Sequence, residues 1–153
     1  MSTAPPVPFV TGHVGLNVRD LARSVRFYQD VFGFEVVGRS EEPGHEYAFL
    51  GQGGTLVLTL WPQSEGRAAT DRPGLHHLSF RVESLEHVEA AERRLRAAGA
   101  RIHHDGIVSH HEGGESGGLF FEDPDGIRLE IFTPSGAARH PAPSRAAPTC
   151  GFF

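Results

Sequence analysis

The chain has 153 residues and a mass of 16.6 kDa, with 39% hydrophobic and 22% charged residues, which suits one soluble folded domain with its own core. The formal net charge is −5 and all fourteen basic residues are Arg, so nucleic acid and anionic membrane are poor partners, and Schiff-base or phosphate-loop chemistry through Lys is excluded. No apolar run reaches a membrane-spanning length, no secretory leader pattern opens the chain, and the single cysteine, Cys150, has no internal partner, so the expectation is a cytoplasmic protein without disulfides.

Residues 1–10 are Pro-rich and read as an N-terminal tail. The next stretch, Gly12 to Leu21, alternates apolar and polar residues and reads as a strand leading into a helix. Asp20 is placed to cap that helix and Gly33 to end it, with Leu21, Val25, Tyr28, Val31 and Phe32 between. Three strand signals follow, at 34–39, 45–50 and 55–61, with a turn at Gly51-Gln-Gly-Gly54. Residues 63–74 have the composition of a linker. The pattern then repeats: His76 to Leu85 overlays Gly12 to Leu21 at a constant offset of about 64 positions, a repeat detectable by pairing His13 with His77 and Leu21 with Leu85. Ser84 caps the second predicted helix, Gly99 stops it, and Leu85, Val88, Ala91 and Leu95 form its apolar stripe. Strands are predicted at 101–104, 118–122 and 127–133, the last two joined by the turn Asp123-Pro-Asp-Gly126. The fold class is therefore α+β: two βαβββ modules, 11–62 and 75–133, within one unit at 11–133. Residues 134–153 are Pro/Ala-rich and read as a C-terminal tail; Phe152 and Phe153 are its natural anchors should it pack.

Strand alternation sorts the side chains into two faces. Leu16, Val18, Leu58, Leu60, Leu129 and Ile131 share the aliphatic faces, expected under the helices. The opposite faces mix polar and aromatic groups, as a ligand pocket does. His13, His77 and Glu130 all fall there, with His13 and His77 at equivalent repeat positions. Two imidazoles and one carboxylate leave one side of a metal open for water and substrate. The expected cofactor is one divalent ion, with Fe2+ favoured and Mn2+, Zn2+ or Ni2+ also compatible. The repeat equivalent of Glu130 is Thr59, which leaves the fourth symmetric position without a strong ligand.

Three stretches carry a resemblance: His13 through Phe34, His77-Leu-Ser-Phe-Arg-Val82, and Asp123 through Glu130. On them the sequence resembles the vicinal oxygen chelate superfamily, which includes glyoxalase I, extradiol dioxygenases, fosfomycin thiol transferases and bleomycin-binding proteins. The resemblance implies paired modules forming a U-shaped cup around a divalent metal, with His13, His77 and Glu130 at ligand positions. It also implies a homodimer in which His13 can serve the neighbouring subunit's site. Thr59 stands where glyoxalase I-like members carry a second Glu. Phe120 stands where extradiol dioxygenases carry a Tyr, although His111, the turn and Glu130 fit their pattern. The fosfomycin transferases use a Lys and a Thr near the phosphonate, whereas this chain has no Lys and Gly15 at the Thr position.

The catalytic candidates are Glu130 and, as acid or base, His111. The substrate-binding candidates are Tyr47, Phe49, Val57, Trp61, Arg81, Arg128 and Phe120, the two Arg suited to an anionic group. The function expected is a metal-dependent enzyme binding a small molecule through neighbouring oxygens, most naturally dioxygenase-like. The rivals are a glyoxalase-type lyase or isomerase, a thiol transferase of antibiotic resistance, and a non-catalytic drug binder of the bleomycin-resistance type. Cys150 reads as an inert thiol.

Overall fold

The computed structural model describes residues 4–153; positions 1–3 of the expected N-terminal tail lie outside the described residues. The first half contains β1 (Val14–Asn17), α1 (Leu21–Phe32), β2 (Glu35–Ser40), β3 (Tyr47–Gln52) and β4 (Thr55–Trp61). The second contains β5 (Leu78–Arg81), α2 (Leu85–Ala97), β6 (Val108–Ser109), β7 (Gly117–Glu122) and β8 (Arg128–Thr133). Each half makes one four-stranded sheet, in the orders β1-β4-β3-β2 and β5-β8-β7-β6. The two sheets are copies of one plan: the first strand pairs in parallel with the last, and the rest run antiparallel. The crossover that parallel pairing demands is supplied by the helix and the strands after it.

Both helices begin as the sequence predicts. The Asp20 carboxylate accepts from the Arg23 amide and the Ser84 hydroxyl from the His87 amide. Gly33 ends α1 in the left-handed region, at φ 71°, where a side chain would be strained.

The second half departs from expectation between its helix and β7. The strand predicted at 101–104 is not formed. Ile102 makes a single bridge to Phe121, and His103–Asp105 close a 3-10 turn in which His104 and Asp105 both have positive φ (58° and 59°). Two consecutive left-handed residues cannot continue a strand. The edge strand is instead the two-residue β6, further along the chain.

The aliphatic sides of both sheets and the inner stripes of both helices merge in one core. Leu16, Val18, Leu58 and Leu60 of the first half join Leu119, Leu129 and Ile131 of the second. Phe32 of α1 carries the contact across, 4.8 Å from Phe80 and 6.2 Å from Phe121 between ring centroids. The Asp123–Gly126 turn is more than a strand connection. Tyr28 of α1 donates its hydroxyl to Asp123 Oδ2 at 2.9 Å, and Arg23 and the Arg19 amide both donate to Asp125. The turn thus clamps the second half onto the first. The polar-aromatic faces of the two sheets lie outside this shared core.

Residues 134–153 are packed rather than loose. Ser109 N donates to Pro141 O, and Thr149 donates from its amide to His110 O and from Oγ1 to Ser109 O. Ala137 and Thr149 are buried. The segment covers the free edge of β6, as exposed sheet edges require. Of the two expected anchors, Phe153 packs against the sheet while Phe152 stays 65% exposed.

Candidate functional site

The register fixes which side chains share the open face of the second sheet. Glu130 pairs with Ser79 on one side and Phe120 on the other, so all three point the same way, as do Arg128 and Phe132 on the same strand. His77 immediately precedes β5 and reaches back over the sheet. Its Nε2 lies 3.3 Å from Glu130 Oε2. His110, just past β6, places its Nε2 2.6 Å from Glu130 Oε1 and its Nδ1 2.7 Å from Ser116 Oγ. An ionised carboxylate can only accept, so a neutral His110 donates to Glu130 through Nε2 and accepts from Ser116 at Nδ1. Glu130 itself is only 3% exposed. A carboxylate that deep needs partners for both oxygens, and two imidazoles provide them.

Burial pushes the His77 imidazole below its usual value, although Glu130 pulls the other way; His76 and Arg128 add to the lowering. The neutral imidazole favoured by that burial is also the form that ligates metals. His76 Nδ1 lies 2.8 Å from His77 Nδ1. Burial likewise lowers His103 and His104. The Cys150 thiol is pushed up by burial and then by the charge on Glu130, the opposite of what a nucleophile needs.

The structure brings together only part of the predicted set. His77, Glu130, Arg128 and Phe120 share this face. His13 is exposed at the start of the first sheet, and among the described residues no group of three or more His, Cys, Asp or Glu is arranged to hold a metal within one chain. Tyr47, Phe49 and Trp61 form a separate aromatic tier on the first sheet, with centroids 4.6 to 5.9 Å apart. Trp61 Nε1 donates to Thr59 Oγ1 at 3.0 Å, and Thr59 is buried. Val57 is half-buried against the core and His111 is exposed, while Arg81, paired with Phe132, lies on the Glu130 face but stays exposed.

Sequence reasoning assigned neither His110 nor Ser116 to the site, and it expected Phe153 only as an anchor of the tail. The pair His110-His111 was visible, but choosing between them requires the parity of β6. Val108 pairs with Gly118, which puts the even-numbered positions on the Glu130 face. Phe153 packs 4.8 Å from Phe120, 5.6 Å from His77 and 5.4 Å from His103, with Arg128 Cζ 5.6 Å from its centroid.

A groove of about 520 Å³ lies elsewhere, between α1 and the β2–β3 end of the first sheet, lined by Leu21, Val25, Arg26, Val36 and Arg39 among others. It contains no metal-capable cluster. The chemistry-bearing side chains sit on the second sheet.

Residues 11–131 match the sequence profile of the Glyoxalase/Bleomycin resistance protein/Dioxygenase superfamily. A lactoylglutathione lyase of Haemophilus influenzae is 32% identical over 78% of this chain and 88% of its own length. A manganese-dependent 2,3-dihydroxybiphenyl 1,2-dioxygenase of Geobacillus genomosp. 3 is 29% identical over 79% of this chain, which spans only 35% of that longer protein. Among solved structures, a glyoxylase/bleomycin resistance protein/dioxygenase domain from Frankia sp. EAN1pec is 31% identical, with a TM-score of 0.69 over 83% of this chain and 98% of that one.

Proposed function

The chain belongs to the Glyoxalase/Bleomycin resistance protein/Dioxygenase superfamily, and from that premise we propose that it is a divalent-metal enzyme which binds a small substrate through two neighbouring oxygens, on the dioxygenase-like branch. The observation that carries the reading is the buried Glu130 carboxylate with His77 Nε2 3.3 Å from one oxygen. One carboxylate oxygen and one imidazole nitrogen side by side on one face are donors that Mn(II) or Fe(II) accepts. His13 is the third ligand, supplied to this face by a second copy of the chain in a homodimer. A manganese-dependent relative supports the choice of ion to try first.

When bound, the ion supplies Lewis acidity toward paired substrate oxygens. The chain's own groups do the rest. Glu130 and His77 would hold the ion. His110, fixed between Ser116 and Glu130, orients the carboxylate and has a proton at Nε2 beside it. Arg128 offers a fixed positive charge on the same face. Phe120 and the surrounding rings exclude water. A glyoxalase-type lyase reading needs a carboxylate at position 59; there Thr59 is buried with its hydroxyl taken by Trp61, which favours the dioxygenase-like branch.

The test is metal loading. Wild-type protein, purified anaerobically and incubated with Mn(II) or Fe(II), is expected to retain about one ion per chain by elemental analysis. His77→Ala and Glu130→Gln are expected to lose at least ten-fold in metal affinity, with melting curves reporting that the fold is kept. Metal retention unchanged in both variants overturns the reading.

A further inference from the structure

We propose that residues 149–153 are a self-docked strap, in which the Phe153 ring occupies an aromatic box on the open face of the second sheet, and that an aryl group entering this site displaces it. The box is built from the chain itself. Phe120 forms its floor at 4.8 Å, tilted 56° to the Phe153 ring. His77, His103 and His76 present near-perpendicular rings at 5.6, 5.4 and 6.3 Å. The Arg128 guanidinium closes it as a cation 5.6 Å from the Phe153 centroid. These are the edge-to-face separations at which aromatic pairs attract beyond their buried area.

The strap has an anchor at Thr149 and a weakly held stretch after it. Thr149 is buried and tied to the backbone at 109–110, its amide donating to His110 O and its hydroxyl to Ser109 O at 2.8 Å. Beyond it, Gly151 and Phe152 are exposed, and Phe152 N returns only to Thr149 O. Among the described residues Phe153 meets the box through ring contacts, so it can leave without unpicking the sheet edge. Those contacts lie beside the two residues with the strongest claim to a metal, His77 and Glu130. A side chain held by a planar, cation-capped, ring-walled box marks what the box accepts: an aromatic ring. A ligand's ring must compete with Phe153, at an effective concentration set by a tether of only a few residues.

Why this face should bind a ligand at all rests on the proposed function; the docking of Phe153 rests on its own contacts. The probe is therefore 4-fluorobenzyl alcohol, which has a ring but no pair of neighbouring oxygens and does not depend on metal. Its binding to the full chain is followed by 19F NMR. Phe153→Ala, which leaves the Thr149 anchor in place, is expected to bind the probe at least ten-fold more tightly than wild type. Adding Phe120→Leu is expected to abolish that gain. Equal affinity in wild type and Phe153→Ala, or a gain that survives Phe120→Leu, overturns the strap. A second readout needs no variant: cross-relaxation between Phe153 ring protons and the His77 ring in wild type supports docking, and its absence overturns it. Manganese retention by Phe153→Ala separates the two readings. Normal retention with no gain in probe affinity defeats the strap alone, whereas a ten-fold gain in a chain that never holds metal defeats the metal reading alone.

Discussion

Tyr28 and Asp123 show how much one buried pair can carry. Tyr28 is fully buried and its hydroxyl is raised well above the usual value, first by burial and then by the charge of Asp123. Asp123 receives that hydroxyl at Oδ2 and the amides of Asp125 and Ile127 at Oδ1. Tyr28→Phe leaves a buried acceptor without its donor, and we expect a loss of about 1–3 kcal/mol in urea unfolding. Burial holds the Asp123 carboxyl above its ordinary value of 3.8, even though its three donors pull it down. The folded state thus binds this proton more tightly than the unfolded chain. Its contribution to stability is full below 3.8 and is lost as pH rises through the higher folded value. Asp123→Asn lacks that titration, so the stability of wild type relative to this variant should fall across the same interval. A relative stability that rises instead would refute the assignment. At this scale much was legible. Glu130 and His77 could be placed on one face by alternation alone, because each lies in or beside a regular strand. His110 could not, because its strand is two residues long and its parity is set by pairing partners distant in sequence.

Elements followed their local signals wherever those signals were strong. Both helix caps are where Asp20 and Ser84 predict, and the three strands that follow α1 lie within two residues of expectation at each end. The failure at 101–104 has a specific cause: Arg101-Ile-His-His104 has strand composition, yet His104 and Asp105 adopt left-handed backbone and turn the chain away. Strand β7 hides another device. A Cβ on Gly117 would strike the Val108 carbonyl, and one on Gly118 the Ile131 carbonyl. These two glycines let β6, β7 and β8 approach at a point where side chains have no room. Gly118→Ala is therefore expected to cost about 3 kcal/mol, at the upper end of overpacking. Gly12→Ala, which meets nothing within 4 Å, should stay within about 0.5 kcal/mol of wild type. Thermal melts of the two variants check the contrast.

For the whole molecule, the 64-residue offset revealed the duplicated halves and the α+β class, because a repeat shows in sequence however it is packed. How the halves pack was not legible. The shared aliphatic core and the Asp123–Gly126 clamp depend on which surfaces meet, and side-chain periodicity is silent on that. Nor does composition reveal that a Pro/Ala-rich segment lies along β6 instead of hanging free. The proposed pairing of His13 with another copy's His77 and Glu130 belongs at this scale, and it has a complementation test. His13→Ala and His77→Ala chains should each fail to retain Mn(II). Unfolded, mixed equally and refolded together, they should recover about a quarter of wild-type metal, since half the dimers are mixed and each of those keeps one intact site. No recovery from folded, dimeric mixtures would rule out a shared centre.

The merging of both halves into one interior has a consequence for how such a chain could have arisen. A lone βαβββ unit would leave its oily side bare, with Phe32 and Phe80 stripped of each other. An ancestral half of this design would have had to find a twin before it could persist. Joining two such units in one chain makes that companionship permanent and leaves the outward sides of the sheets free to differ.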